Sequence, residues 1–496
     1  MLKIRFIFLS LFLLTFTGFA QENTEPVKPQ TYVQVYAEKL MTYKYLKNAA
    51  FSFYAKDMST GEIIADYNSK MSLPCASVMK LVTTATALQI LGSGYRYKTR
   101  IMYTGEIDTL NCVLNGDLHI IGGGDPTLGS KFFNKKGHER DFLYEWADTI
   151  KAMGIEKING RVVADGSIYR YYGAPSGWVW ADMGNYYGAG PNGLTCFDNT
   201  LKLQFETGPN AGDSTEIVCT DPYVPSIEIR NYVKAADSKK DNAYVYGAPY
   251  SNSWFVAGSI PKARDSFVVK ASIPDPELVM ALEMDYALEE SGIDVVFAPI
   301  TNRELSSNPA YFKPARTEIH THYSPYLGSI INIVNRNSFN LYAEHVLCQL
   351  SVNKSGYGST YNGALVCKNY WNNKVGAMDL HITDGSGLSR SNAVSAEFLV
   401  KMLTYLNGKK AGNRLKESMA LAGKRGTMSS MCKGGSGYGR AYGKSGTMTR
   451  IKAYAGYIDS KSGKKIAYAM IWNNHNCSTS KIKEYCSNLL NKLSAY

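Results

Sequence analysis

Between Ser77 and Leu91 the chain places apolar side chains at 78, 79, 81, 82, 85, 87, 88, 90 and 91, and Gly92 follows as a stop. Wrapped at 3.6 residues per turn, these positions leave almost no polar face, and a helix that is apolar nearly all round has to be buried. The fold must therefore be built around this helix. Lys80 sits in its first turn, so a cation enters the core of the protein. Ser77, three residues earlier, lies on the same face within reach of it.

That pairing has chemical consequences. A serine hydroxyl is a poor nucleophile by itself, whereas an ammonium desolvated by apolar neighbours loses proton affinity and can serve as a base near neutral pH. The first turn of a helix also offers backbone N–H groups that can hold an oxyanion. Ser-X-X-Lys recurs from Ser259, Ser351, Ser430, Ser462, Ser478 and Ser480, so the spacing alone selects nothing. Only Ser77 opens a long apolar helix.

Two further segments carry chemistry of their own. Ser338 and Asn340 sit two apart just ahead of an apolar helical run, where a loop would aim both polar groups the same way; an ordinary turn with a helix cap is the plain alternative. In Arg440–Thr449, heading the alternating strand from Ile451, Lys444 offers a cation and Ser445 a hydroxyl. Gly446 permits close backbone approach, and the N–H of Thr447 can complete an oxyanion hole. Lys-Ser-Gly also occurs at Lys354 and Lys461, but neither heads a strand.

The rest of the chain supplies the frame. Lys3 and Arg5 lead an apolar run from Phe6 to Phe16, and Gly18, Phe19 and Ala20 precede Gln21, which reads as a cleaved secretory leader over residues 1–20. The run is shorter than the roughly 18 residues a membrane anchor needs, and Ser10 and Thr15 interrupt it. No later stretch is apolar enough to span a bilayer, so at most a peripheral membrane association is expected. Export places nine cysteines in an oxidising compartment, but nine is odd and no Cys-X-X-Cys pair exists. Neither a zinc ribbon nor a redox motif is available. The seven histidines show no His-Glu-X-X-His spacing, and His320 and His322 alternate in a strand-like segment without a third ligand nearby. No metal or cofactor is expected.

With 496 residues the chain has room for two or three domains, and its net charge of +12 is diluted over a large surface, with no nucleic-acid partner implied. The alternating runs of residues 50–67 predict a hairpin around Ser59–Glu62. From Tyr95 to about Pro299 short alternating segments between Gly, Pro, Asn and Asp read as β-rich inserted material, and Gly122–Gly124 as a tight turn, since no Gly-Lys-Ser/Thr follows. Helices are predicted over Pro276–Ser291 and Ser329–Leu350. Strands are predicted over Ile451–Ile458 and Lys465–Trp472, and a last helix has one apolar face at 482, 485, 486, 489, 490 and 493. Strands at both chain ends around a long middle suggest one antiparallel sheet assembled from the two termini.

In this order, Ser77-X-X-Lys80, Ser338-X-Asn340 and Lys444-Ser445-Gly446 resemble the penicillin-binding and serine β-lactamase superfamily. More than half of the chain length separates Ser77 from Ser338. That spacing, with Gly116-Asp-Leu, Gly124-Asp-Pro-Thr-Leu128, Tyr186–Gly190, Asp384-Gly-Ser-Gly-Leu-Ser389 and Arg425-Gly-Thr-Met428, resembles the class C low-molecular-mass penicillin-binding proteins, the D-alanyl-D-alanine carboxypeptidase/endopeptidase family. Phe339 stands where a common form of the second motif has Asp, and Ser445 where the third usually has Thr. Ser338, Asn340 and a hydroxyl are kept all the same.

The resemblance implies an α/β (α+β) transpeptidase-like domain from residues 25–96 and 306–496, an antiparallel sheet with helices on both faces. A β-rich insertion over 97–305 would carry a smaller nested unit at about 198–262. It implies Ser77 as nucleophile, Lys80 as base, Ser338 as proton relay and Asn340 as holder of the substrate amide. Lys444 and Ser445 would bind a terminal carboxylate, and the N–H groups of Ser77 and Thr447 the oxyanion. Asp165 would meet the free amine of a diaminopimelate side chain; a local turn before Gly166 is the equal alternative. Peptidoglycan stem peptides are the implied substrate and β-lactams the covalent inhibitors, in the periplasm. A serine β-lactamase and a non-catalytic peptidoglycan-binding protein are the rivals. Sequencing the N-terminus of the exported protein should return Gln21 or a residue within a few positions, and an intact Met1 would refute the leader.

Overall fold

The structure, a computed structural model, describes residues 30–496 apart from 226, 377 and 378, so the predicted leader lies outside the described residues. Its main sheet has six antiparallel strands in the order Ala420–Leu421, Ala441–Met448, Ile451–Asp459, Lys465–Asn473, Ala50–Asp57, Ile63–Tyr67. The two chain ends meet where Ala50–Asp57 pairs with Lys465–Asn473, as the hairpins at both termini predict.

Both faces of this sheet are covered, and alternation decides which side chain goes where. Ala453, Ala455, Ala467, Ala469 and Ile471 face a core that contains the helix Met79–Ile90. Tyr454, Ile458, Ile466, Tyr468, Met470 and Trp472 face the other way, onto the terminal helices Tyr32–Leu40 and Thr479–Ala495. The four alanines let the helix Ala396–Leu406 lie close on the sheet, in the same core as the central helix; the large rings fill the space under the terminal helices.

The central helix is buried from Met79 to Leu88. Its threonines are satisfied inside the core: Thr84 and Thr86 donate to the carbonyls of Lys80 and Val82 at 2.7 Å each, and Thr83 donates to that of Gly385 at 2.8 Å. Ser77 itself lies in a 3₁₀ turn, Ala76–Val78, directly ahead of the helix. The single helix expected over Ser329–Leu350 is two, Leu327–Asn337 and Asn340–Ser355, because Ser338 takes the left-handed conformation (φ 62°) and Phe339 is extended. The break falls in the polar stretch Asn335–Asn340, where Phe339 is the one apolar side chain and a loop ahead of the second helical run is expected.

The strands between the first and second motifs form separate sheets. One joins Ile300–Thr301, Val162–Asp165, Leu118–Ile121, Lys98–Tyr103 and Thr317–Tyr323, and a smaller one joins Asp294–Val295, Lys157–Ile158, Val113–Asn115 and Glu106–Asp108. The helices Asp141–Lys151 and Pro276–Glu290 share a core with them, so this region is α/β rather than purely β-rich. It also reaches past 305, since Thr317–Tyr323 pairs with Lys98–Tyr103. Two three-stranded sheets occupy the middle, and their last strand, Arg264–Ser272, carries the nested unit beyond 262.

Leu81 is fully buried on the central helix. Leu81→Ala should cost about 2–5 kcal/mol, the usual range for a buried leucine, whereas Leu110→Ala, at a side chain 93% exposed, should stay within about 0.5 kcal/mol. Urea unfolding of both variants checks the contrast.

Candidate active site

The 3₁₀ turn and the start of the central helix place Ser77 Oγ 2.9 Å from Lys80 Nζ. Lys80 is fully buried, and its Nζ also donates to Asn340 Oδ1 and to the backbone carbonyl of Ser386, each at 2.6 Å. Three acceptors match the three donors of an ammonium. Two of the three, the amide and peptide oxygens, can only accept. When Lys80 is neutral its two N–H groups stay with them, and its lone pair is left to the one partner that can donate, the Ser77 hydroxyl. The geometry thus gives the proton a direction, from serine to lysine.

The Asn340 amide has no freedom to flip, because its Nδ2 donates at 2.8 Å to the carbonyl of Tyr187. Burial pushes Lys80 down to about 7, opposed by the carboxylates of Asp384 and Glu344. A lysine held there is half neutral at physiological pH.

The left-handed turn at Ser338 aims its hydroxyl at Lys444, whose Nζ donates to Ser338 Oγ at 2.8 Å and to the carbonyl of Ser445 at 2.7 Å. Lys444 is fully buried, and burial first, then Lys80 and Lys452, holds its ammonium well below the usual lysine range. An arriving carboxylate would relieve that. Ser445 Oγ donates to Thr427 Oγ1 at 2.7 Å, and Lys452 Nζ donates to Thr447 Oγ1 at 2.5 Å.

Ala420–Leu421 pairs with Gly443 and Tyr442, so among the described residues the strand edge from Lys444 to Met448 has no neighbouring strand. A peptide can add there as a further strand. Gly446 is needed beside it: a Cβ would come within 2.4 Å of the carbonyl of Cys75 and 3.2 Å of the N of Ser77. Gly387 (φ 80°) plays the same part on the other side, where a Cβ would sit 2.0 Å from the carbonyl of Ala76.

The structure therefore brings together Ser77, Lys80, Ser338, Asn340, Lys444, Ser445, Gly446 and Thr447. It does not bring Asp165 to them as a free carboxylate. Asp165 is 1% exposed, its Oδ2 lies 2.8 Å from Arg316 and 3.3 Å from Lys313, and its Oδ1 accepts from the N of Ser167 at 3.0 Å. A carboxylate already neutralised by a guanidinium and an ammonium has no vacancy for a substrate amine, so the turn reading replaces the subsite reading.

Sequence reasoning assigned no role to four groups that complete the site: the carbonyls of Ser386 and Tyr187, the hydroxyl of Thr427 and the carboxylate of Glu344. Two of the four are backbone atoms, which leave no residue-type signal. The glycines around Ser386 and Thr427 were the available hint.

A serine and a buried lysine in proton contact, a second serine against a second lysine and an open strand edge define a serine acyl-transfer enzyme of the penicillin-recognising fold. The chain belongs to the D-Ala-D-Ala carboxypeptidase 3 (S13) family, whose sequence profile matches residues 34–493. It is 24% identical over 478 residues to the D-alanyl-D-alanine carboxypeptidase DacB of Haemophilus influenzae, covering 92% of this chain and 93% of that one. It is also 25% identical over 451 residues to a D-alanyl-D-alanine carboxypeptidase of Actinomadura, covering 87% and 79%. The crystal structure of penicillin-binding protein 4 from Haemophilus influenzae superposes with a TM-score of 0.78 at 23% identity, over 92% of this chain and 99% of that one. The same protein complexed with a β-lactam gives 0.74 at 21% identity, with the same coverage.

A lysine can take a proton from a serine only when neutral, so if Lys80 serves as the base, acylation should be fast above pH 7 and fall about tenfold per unit below it, with the bend at about 7. Stopped-flow labelling by a fluorescent penicillin across pH 5 to 9 checks this; a bend near 10 would mean an unperturbed lysine.

Proposed function

We propose that this chain is a serine D-alanyl-D-alanine carboxypeptidase/endopeptidase of the periplasm that hydrolyses peptidoglycan stem peptides and cross-links through an acyl-serine intermediate, and that β-lactams acylate the same serine. The observation that carries the reading is the set of partners around Lys80 Nζ, which leaves only the Ser77 hydroxyl to give it a proton.

Ser77 Oγ attacks the carbonyl of a D-alanine laid along the open strand edge while Lys80 takes its proton. The N–H groups of Ser77 and Thr447 hold the oxyanion, a role favoured by the close packing of the Gly446 strand on the Ser77 turn. Ser338, hydrogen-bonded to Lys444, relays the proton that Lys80 took from Ser77 to the leaving amine as the peptide bond breaks, so its own hydroxyl is restored and Lys80 is neutral again. Asn340 orients Lys80 and offers its amide to the substrate. Lys444 and Ser445, the latter steadied by Thr427, bind the terminal carboxylate. Water then attacks the ester as Lys80 accepts its proton, and Lys80 returns that proton to Ser77 Oγ as the acyl bond breaks. No step calls on a metal or cofactor.

Purified protein should release D-alanine from a pentapeptide stem and label with fluorescent penicillin. Ser77→Ala should abolish both, and Lys80→Ala should slow acylation by about 100- to 10,000-fold. Labelling that survives Ser77→Ala would refute the nucleophile. Rapid turnover of penicillin with no D-alanine released would favour a β-lactamase, and loss of both activities in the wild type would favour a non-catalytic binding protein.

A further inference from the structure

Behind Lys80 the loop Asp384–Ser389 is gripped by two buried carboxylates. Asp384 accepts from the N of Gly387 at 2.7 Å, the N of Ser389 at 2.6 Å and Asn392 Nδ2 at 2.8 Å, and from Trp178 Nε1 at 2.8 Å. Glu344, one turn beyond Asn340 on the helix Asn340–Ser355, is fully buried. Its Oε2 accepts from the N of Gly385 at 2.9 Å and its Oε1 from the N of Ser386 at 2.7 Å. The carbonyls of the same two residues point the other way: that of Gly385 accepts from Thr83 and that of Ser386 from Lys80. The peptide between Gly385 and Ser386 is thus held on its N–H side by Glu344 and on its C=O side by Thr83 of the central helix, and the next peptide, whose carbonyl meets Lys80, has its N–H, that of Gly387, on Asp384. Rotation of either peptide would break a bond at each end.

We propose that Glu344 is a positioning residue for the proton transfer from Ser77 to Lys80. By clamping Gly385 and Ser386 it keeps the Ser386 carbonyl on one N–H of Lys80, so that the lone pair of the neutral amine stays on Ser77. The proposal rests on the reading of Lys80 as the base. A purely packing role would need neither both carboxylate oxygens on adjacent N–H groups nor a negative charge beside a lysine that must titrate.

The charged and titratable groups facing the pair come from every element packed on it. Cys75 precedes the Ser77 turn, Cys348 lies one turn along the helix from Glu344, Asp384 lies in the loop and Lys444 on the neighbouring strand. Burial raises both thiols, Cys75 to about 12, so they stay neutral. The influences on Lys80 that change with substitution at 344 are therefore the charge of Glu344 itself and the placement of the Ser386 carbonyl. Burial, then the charge of Asp384, pushes Glu344 itself up, against the N–H groups of Ser386 and Gly385 that favour its anion; ionised, it raises the proton affinity of Lys80, so removing its charge should lower it.

The test compares Glu344→Gln and Glu344→Asp, measured as single-turnover acylation by a fluorescent penicillin from pH 5 to 10. In Glu344→Gln the amide nitrogen opposes one of the two N–H donors. The plateau rate should fall at least tenfold, the acid limb should move to lower pH, and the penicillin concentration at half-saturation should change little. Glu344→Asp keeps the charge but is too short to hold both donors, so its plateau should fall with the limb in place. A wild-type plateau in both variants, or a Glu344→Gln limb that does not move, would overturn the proposal. Should Glu344→Gln fail to fold, Glu344→Asp decides: a slowed plateau at unchanged half-saturation supports it, and a wild-type plateau refutes it. If the wild type itself is not acylated, the reading of the site fails before this one is reached.

Discussion

Lys80 is a lysine taken entirely out of water with no carboxylate in contact with its ammonium. An uncompensated buried ammonium is too costly to keep, and this one is held by three oxygens instead, from Ser77, Asn340 and Ser386. Those three come from segments far apart in the chain, so the site exists only when both ends of the chain have closed around the central helix. Gly387 and Gly446 serve that closure. Each removes a side chain where one backbone must approach another within van der Waals distance.

The long middle segment takes part in the same closure. Tyr187 fixes which end of the Asn340 amide faces Lys80, and Trp178 binds the carboxylate that organises the loop behind it. Tyr342, on the helix of Asn340, is hydrogen-bonded to Ser130 and Asp198. The strand segments next to Tyr169 and Gly358 bridge the two parts of the chain through backbone bonds. The inserted region is therefore a wall of the cleft, joined to it by polar contacts.

Electrostatically the cleft is built for an anion. Lys80, Lys444 and Lys452 crowd one another, and each is held below its ordinary proton affinity first by burial. Concentrated positive potential with low-dielectric walls attracts a carboxylate and gains most from it. The two lysines of the main motifs differ in what they contact. Lys80 faces a hydroxyl it can deprotonate, whereas Lys444 faces a hydroxyl and a peptide carbonyl beside an open strand edge.

Much of this was legible in the order of residues. The all-round apolar run after Ser77 can only be a core helix, and the alternating runs at both termini can only pair with each other, because hydrophobic period is a local property of the chain. The same locality placed Ser77 beside Lys80, whereas Lys444, expected at the head of the strand from Ile451, lies in the middle of its own strand, Ala441–Met448, paired with that one. Tertiary structure alone decided what distance in sequence conceals. The left-handed backbone angle that ends a helix at Ser338 is one such detail. Asp165 looks like a free carboxylate until Arg316 and Lys313, almost 150 residues away, fold onto it. The Ser386 carbonyl that holds Lys80 belongs to every residue type alike, so only packing could select it. A sequence shows which side chains are present and with what period; which backbone atoms they meet is settled when the core closes.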